Sequence, residues 1–325
     1  MKALITGGGG FAGGHLASYL AGLGMDVTLL DRHPRQRPGM RAIRADLRDA
    51  ARCETVLREI RPQRIYHLAA VSSNVAAMDD PQSAYSVNFS GTLALLSAWR
   101  RVEIDCRFLL VSTSEVHGPS SENGPEREMP LHENAALGPT TPYAASKAAS
   151  EMAGLQFFLT WGLPIVVARP FSHTGPGQTD RFVCSSFARQ IAEAQSQRRA
   201  KISVGNLDLR RDFSDVRDVV RGYHLLLEHG QPGQPYFLCS GQAVSLAGIL
   251  QTLMDCFPNP VEVSVDPRRL RANETPAIWG DYSKMHQATG WSPEIPLEKT
   301  LQDLAQYWTT EIKNHHSALW ERPAA

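Results

Sequence analysis

Short apolar runs alternate with longer amphipathic stretches through the first half of the chain. The runs are KALIT at 2–6, DVTLLD at 26–31, RAIRAD at 41–46, RIYHLAA at 64–70, RFLLVST at 107–113 and PIVVARP at 164–170. Several are apolar along their whole length, which marks strands covered on both faces. Helix-like segments fill the gaps at 11–23, 48–60, 81–101 and 142–161. Thr141 followed by Pro142 reads as a helix start, with a hydroxyl cap ahead of a proline at the first helical position. Strand and helix in strict alternation predict right-handed crossovers, and therefore an α/β fold built on a doubly wound parallel sheet.

Beyond residue 170 the alternation breaks down. The segments GPGQTDR, GNLDLRRD, EHGQPGQP and DPRRLRANETP are rich in Gly, Pro and Arg, with helical patterns between them at 182–198, 215–229, 245–257 and 297–313. The expected organisation is a sheet domain over 1–170, to which some elements from 210–245 return. A smaller α/β lobe over 171–325 covers the carboxyl ends of the strands. The tail HHSALWERPAA reads as a loosely held end. Its adjacent His315 and His316 have no partner spacing for a metal site.

Composition removes several classes of function. Lys+Arg and Asp+Glu are both 33, which argues against a nucleic-acid partner. No apolar run approaches the ~20 residues that cross a bilayer, so no membrane partner is expected. MKALITGGGG enters a strand pattern at once and leaves no room for a secretory leader. The five cysteines are odd in number, scattered and free of any CxxC. They fit a reducing cytoplasm better than a disulfide framework or a structural zinc.

The sharpest local signal follows the first strand. Thr6-Gly7-Gly8-Gly9-Gly10-Phe11-Ala12-Gly13 leads into a helix, with glycines at 7, 10 and 13. Gly7 suits a tight turn, Gly10 a close approach of pyrophosphate to the backbone, and Gly13 the packing of helix on strand. Asp31 ends the second strand, where a carboxylate can hold adenosine ribose hydroxyls. A dinucleotide is the expected ligand. Asp31 favours NAD(H), while Arg32, with Arg35 and Arg37 behind it, could receive the extra phosphate of NADP(H). The balance leans to NAD(H), and NADP(H) stays open.

A second signal sits one element after the fifth strand. Tyr143 and Lys147 are four apart in a predicted helix, one turn apart on one face. An ammonium beside a phenol favours phenolate and lowers its pKa, making a usable acid or base. Thr113 and Glu115 lie at the carboxyl end of the fifth strand, where such folds place ligands. Thr113 could bond the same substrate oxygen, and Glu115 could act as a second acid or base.

Together these residues resemble the extended short-chain dehydrogenase/reductases that act on nucleotide sugars, enzymes with a Rossmann fold. The matching motifs are TGGGGFAG, Asp46-Leu47, HLAA at 67–70, Asn88 in VNFSGT, STSEVHG, PYAASK at 142–147, RPFSHTGPGQ, RRDFSDVRDV and GDYSK followed by GW. They cover nearly the whole chain in order. The second half is most similar to the group of GDP-4-keto-6-deoxy-D-mannose reductases and GDP-mannose 4,6-dehydratases.

The resemblance implies that Phe11, Asp46, Leu47, Leu68, Ala69, Ala70 and Asn88 line the cofactor together with Tyr143 and Lys147. It implies that Arg211 and Arg271 clamp a diphosphate, that Glu274 takes nucleotide ribose hydroxyls, and that Ser172 and His173 face the sugar nucleotide. A surface ion pair of Arg211 with Asp212 or Asp215 is the competing reading of that residue. Two positions depart from the family: Ser172 stands where Asn is usual, and His117 where many relatives have Tyr.

The implied reaction is NAD(P)H-dependent reduction of the C4 ketone of a GDP-4-keto-6-deoxy-hexose to GDP-D-rhamnose. Thr113-Ser114-Glu115 also meets the pattern of the 4,6-dehydratases, which remain the alternative, with a C4 epimerase or an inactive scaffold behind them. Helices at 81–101 and 142–161 are the implied contact of a homodimer.

Overall fold

The computed structural model describes residues 1–118, 130–197, 201–270 and 275–320. Its centre is a seven-stranded sheet formed by β1 (Lys2–Thr6), β2 (Asp26–Asp31), β3 (Arg41–Arg44), β4 (Arg64–His67), β5 (Arg107–Val111), β6 (Ile165–Pro170) and β11 (Pro235–Leu238). The order is β11-β6-β5-β4-β1-β2-β3, with every pairing parallel. Strand order reverses between β1 and β4, and a crevice at such a point binds ligands in open α/β sheets.

The unbroken apolar strands are explained by helices on both faces. On β1, Ala3 and Ile5 enter one core and Leu4 the other, as the twofold alternation of a strand requires. Helices α1 (Phe11–Gly22) and α8 (Val216–His229) cover the first face, contributing Leu16, Leu20, Val219 and Tyr223. Helix α2 (Ala50–Ile60), α5 (Gly91–Val102) and α6 (Pro142–Trp161) cover the second with Leu57, Leu96, Trp99 and Phe157. Residues 282–291, which the sequence pattern leaves in the smaller lobe, also reach the first core. Met285 and Trp291 are fully buried there, and the Trp291 indole donates to the Asp218 carbonyl at 2.9 Å.

The segment 81–101 is not the single regular helix that its pattern suggests. After α3 (Asn74–Asp79) and α4 (Pro81–Ala84), the chain makes a π-helical turn at Tyr85–Ser90 before α5. There the Asn88 carbonyl accepts hydroxyls from Thr92 at 2.5 Å and Ser150 at 2.9 Å, and side-chain donors of this kind sustain a local widening of a helix.

The smaller lobe has a third core, where Phe187 and Ile191 of α7 (Val183–Gln197) meet Ile249 and Leu253 of α9 (Leu246–Met254) and Leu301 and Leu304 of α11 (Leu297–Trp320). Helix α10 (Ser283–Thr289) precedes α11. The backbone of α11 stays helical to Trp320, which takes in the first six residues of the expected loose tail, and the last five lie outside the described residues. Seven further short strands pair with one another in three small sheets. They are β7 (Ser172–Thr174), β8 (Lys201–Val204), β9 (Arg210–Arg211), β10 (Phe213–Asp215), β12 (Val244–Ser245), β13 (Glu262–Val265) and β14 (Ala277–Ile278).

One buried histidine ties β4 to the sheet and to α5. His67 bridges the hydroxyls of Thr6 at 2.7 Å and Thr92 at 2.8 Å, and burial, then the Lys147 charge, lowers its pKa to about 3. The unfolded chain takes up this proton below about pH 6.5 and the native state does not, so stability falls as pH drops from there towards the folded value. His67→Gln is expected to flatten the loss of unfolding free energy between pH 6.5 and 5 by about 1 kcal/mol per pH unit. Urea midpoints at the two pH values measure it; an unchanged slope would refute the assignment.

Candidate active site

The glycine turn sits at the carboxyl end of β1. Gly7 has φ +73°, and a Cβ there would lie 2.7 Å from the Ala69 nitrogen. A Cβ on Gly13 would lie 2.2 Å from the Gly7 carbonyl oxygen, so only glycine lets α1 start so close to the turn. At Gly10 the only such neighbour among the described residues is the Gly7 oxygen at 3.2 Å. Gly10 caps α1 without a side-chain hydrogen bond, whereas Asp49, Thr141, Asp215 and Ser245 cap α2, α6, α8 and α9 through theirs. An amide-rich helix end with no side chain across it suits a pyrophosphate. The buried Ser112 hydroxyl at the end of β5 has no hydrogen-bond partner among the described residues, a second sign that the crevice is shaped for a polar guest. The residues present thus fit a nicotinamide dinucleotide.

Asp31 braces this turn. Its Oδ2 accepts the Gly9 amide at 3.1 Å and its Oδ1 the His33 amide at 2.9 Å. Arg32 is exposed beside it, and the Arg37 guanidinium lies against Gly14. Leu47 packs against Gly91, while Arg48 beside Asp46 holds that carboxyl at about 2. Leu68 and Ala69 face the glycine turn, and Ala69 donates its amide to Thr6 Oγ1 at 3.3 Å. Ala70 follows in the same half-buried loop. Asn88 pins that loop from the π-helical turn, accepting the Val71 amide at 2.7 Å and donating to the Val71 carbonyl at 3.2 Å and to Ser146 at 2.9 Å.

Tyr143 and Lys147 are both buried on α6, whose cap is the Thr141 hydroxyl accepting the Ala144 amide at 3.1 Å. Thr113 and Glu115 approach from the loop after β5. Burial, then the Glu115 charge, push the Tyr143 phenol up, and the Thr113 hydroxyl beside it pulls the other way. The expected lowering of the phenol by Lys147 does not emerge in the protein alone, where desolvation of a phenolate is the largest influence. Burial lowers the Lys147 ammonium to about 8 against the opposing Glu151 charge.

Beneath this pair lies a polar cluster that carries no sequence motif. The Arg169 guanidinium grips Glu151 with contacts of 2.6 and 3.1 Å, and both side chains are almost fully buried. It also donates to the Glu133 carbonyl at 3.0 Å and to His117 Nε2 at 3.1 Å, so His117 carries its proton on Nδ1, towards the Ala136 carbonyl. The pair joins α6 to β6 over 18 positions of chain, a distance no local pattern spans.

The remaining expected residues are spread around this centre. His173 stacks on Phe11 at 6.2 Å, links through Nδ1 to the Phe171 carbonyl, and has its pKa lowered by burial. Ser172 precedes it, exposed on β7. Arg211 lies on β9 and donates to the carbonyls of Arg210 and Pro276. The carboxylates competing for it are engaged elsewhere: Asp212 accepts from Ser240, Gly241 and Gly280, and Asp215 from Arg217 and Thr300. Arg271 and Glu274 lie outside the described residues.

Comparison with known proteins agrees with this geometry. The family described as GDP-mannose 4,6 dehydratase matches residues 4–304. The GDP-6-deoxy-D-mannose reductase of Pseudomonas aeruginosa is 35% identical over 96% of this chain and 98% of its own. A GDP-mannose 4,6-dehydratase of Vibrio cholerae is 27% identical over 93% and 92%. Among solved structures, RMD from Pseudomonas aeruginosa complexed with NADPH superposes with a TM-score of 0.85 at 35% identity, covering 95% of this chain and 99% of that one. The UDP-glucose 4-epimerase of Thermus thermophilus in complex with NAD gives 0.84 at 26%, covering 95% and 99%.

Proposed function

The chain belongs to the GDP-mannose 4,6 dehydratase family, and from that premise we propose that it is the reductase of a GDP-4-keto-6-deoxy-D-mannose, forming GDP-D-rhamnose. The observation that carries reduction over dehydration is the 35% identity, along nearly both full lengths, to a GDP-6-deoxy-D-mannose reductase, against 27% to a dehydratase.

The site chemistry supports the same direction. A reductase needs a proton donor at the developing alkoxide, and a phenol pushed up by burial and the Glu115 charge is held protonated, as an acid must be before it acts. Bound NAD(P)H would supply hydride to C4. Tyr143 gives its proton to O4, Thr113 orients that oxygen through its hydroxyl, and the Lys147 ammonium stabilises the phenolate left behind. Glu115 serves as a fixed acceptor for a sugar hydroxyl next to the reacting carbon.

For the coenzyme, exposed Arg32 and half-buried Arg37, together with the backbone duty of Asp31, favour NADP(H) over NAD(H). The exposed Tyr85, Leu93, Met152 and Leu159 on neighbouring helices favour a homodimer through this face. Sedimentation at twice the chain mass is expected, and a monomer at micromolar concentration would exclude it. Five free cysteines, four of them buried, suit a reducing compartment such as the cytoplasm.

The experiment is nicotinamide absorbance with the keto sugar and NADPH or NADH in parallel. Stoichiometric oxidation, faster with NADPH, is expected. Conversion of GDP-mannose without added reductant would favour the dehydratase instead.

A further inference from the structure

We propose that Asn74 is a positioning residue for Glu115, holding its carboxylate through a chain of hydrogen bonds that begins at the N-terminus of α6. The inference rests on the reading of Glu115 as a sugar ligand in a reductase.

The polarity of the chain is fixed link by link. The Ala144 amide donates to Thr141 Oγ1 at 3.1 Å, so that hydroxyl turns its own proton to Asn74 Oδ1 at 3.0 Å. The amide nitrogen of Asn74 is then aimed at Glu115, and Nδ2 meets Oε2 at 2.7 Å. The reverse amide orientation would set a carbonyl oxygen against a carboxylate. Asn74 opens α3, just beyond the loop whose Val71 is clasped by Asn88. One side chain therefore joins three pieces of the site: the loop after β4, the loop carrying Thr113 and Glu115, and the start of the helix carrying Tyr143.

A charge-assisted hydrogen bond of this kind orients a carboxylate as an acceptor and favours its ionised form. An interaction made equally with bound substrate and transition state shows in KM and leaves kcat alone. Asn74→Ala should raise KM for the keto sugar roughly 10-fold, as expected for a lost hydrogen bond to a charged group, with kcat within about threefold.

Asn74→Asp is the discriminating variant. It preserves shape and still accepts from Thr141, but it faces Glu115 with an anion. If Asn74 only fills space, the near-isosteric Asp matches wild type and Ala is worse. If Asn74 positions Glu115, Asp is worse than Ala, and the penalty disappears when Glu115 becomes Gln, whose amide can donate to the new carboxylate.

The test is a double-mutant cycle on the whole enzyme with N74A, N74D, E115Q and N74D/E115Q, read in KM, kcat and substrate-free melting temperature. Expected is a KM rising from wild type to N74A to N74D, with the double variant within about threefold of E115Q. The melting temperature should fall in N74D and recover in the double variant. N74D equal to wild type, or equally harmful beside Glu115 and Gln, overturns the proposal. Absence of turnover in the wild type sinks the reductase reading instead, and the melting cycle then decides the coupling by itself.

Discussion

Tyr143→Phe is expected to lower kcat for ketone reduction by about 10²–10⁴-fold, the usual worth of a positioned general acid, while leaving coenzyme binding within about threefold of wild type. The ring is buried and its body remains in place, so only the proton at Oη is lost. Thr113 cannot substitute, because an aliphatic hydroxyl is a far weaker acid than a phenol. Coenzyme titration by nicotinamide fluorescence, beside single-turnover rates, separates the two quantities. Retained turnover within tenfold would mean that another group delivers the proton. Parallel loss of coenzyme binding would mean that the phenol is structural.

Arg169→Met should cost about 3–5 kcal/mol of stability, because it strands a carboxylate in the interior. Glu151 is gripped by Arg169 from within the protein and lies one turn beyond Lys147 on α6. Without the guanidinium, the Glu151 charge already felt by Lys147 would draw that ammonium towards it. That cost is a large part of the roughly 5–15 kcal/mol that separates most folded domains from their unfolded chains. Glu151→Leu combined with Arg169→Met should recover most of it, as apolar replacements of a buried pair commonly do. Urea unfolding of the single and double variants measures both. A single variant within 1 kcal/mol of wild type would show that water reaches the pair.

The parts of the molecule legible in the sequence are those governed by local rules. Apolar runs at 2–6, 26–31 and 107–113 announce strands because both sheet faces are covered, and Gly7 and Gly13 announce the turn because backbone atoms occupy the space of their Cβ atoms. Tyr143 and Lys147 are legible because a helix repeats its face every four residues. What escaped depends on contacts distant along the chain. The π-helical turn at Asn88 rests on hydroxyls 4 and 62 residues away. Trp291 reaches the first core by bonding Asp218, 73 positions earlier. Asn74 carries no motif and gains its meaning only when Thr141 and Glu115 are folded against it. The upward shift of the Tyr143 phenol is not legible there, because spacing reveals a neighbouring cation but not the depth of burial.

Transfer of deuteride from NADPH labelled at nicotinamide C4 tests the central claim most directly, with the product sugar read by NMR. The account predicts one deuterium at C4 of a GDP-linked 6-deoxy-hexose, incorporated by wild type and lost with Tyr143→Phe. A product without deuterium, or a 4-keto sugar formed from GDP-mannose with no reductant present, would contradict it.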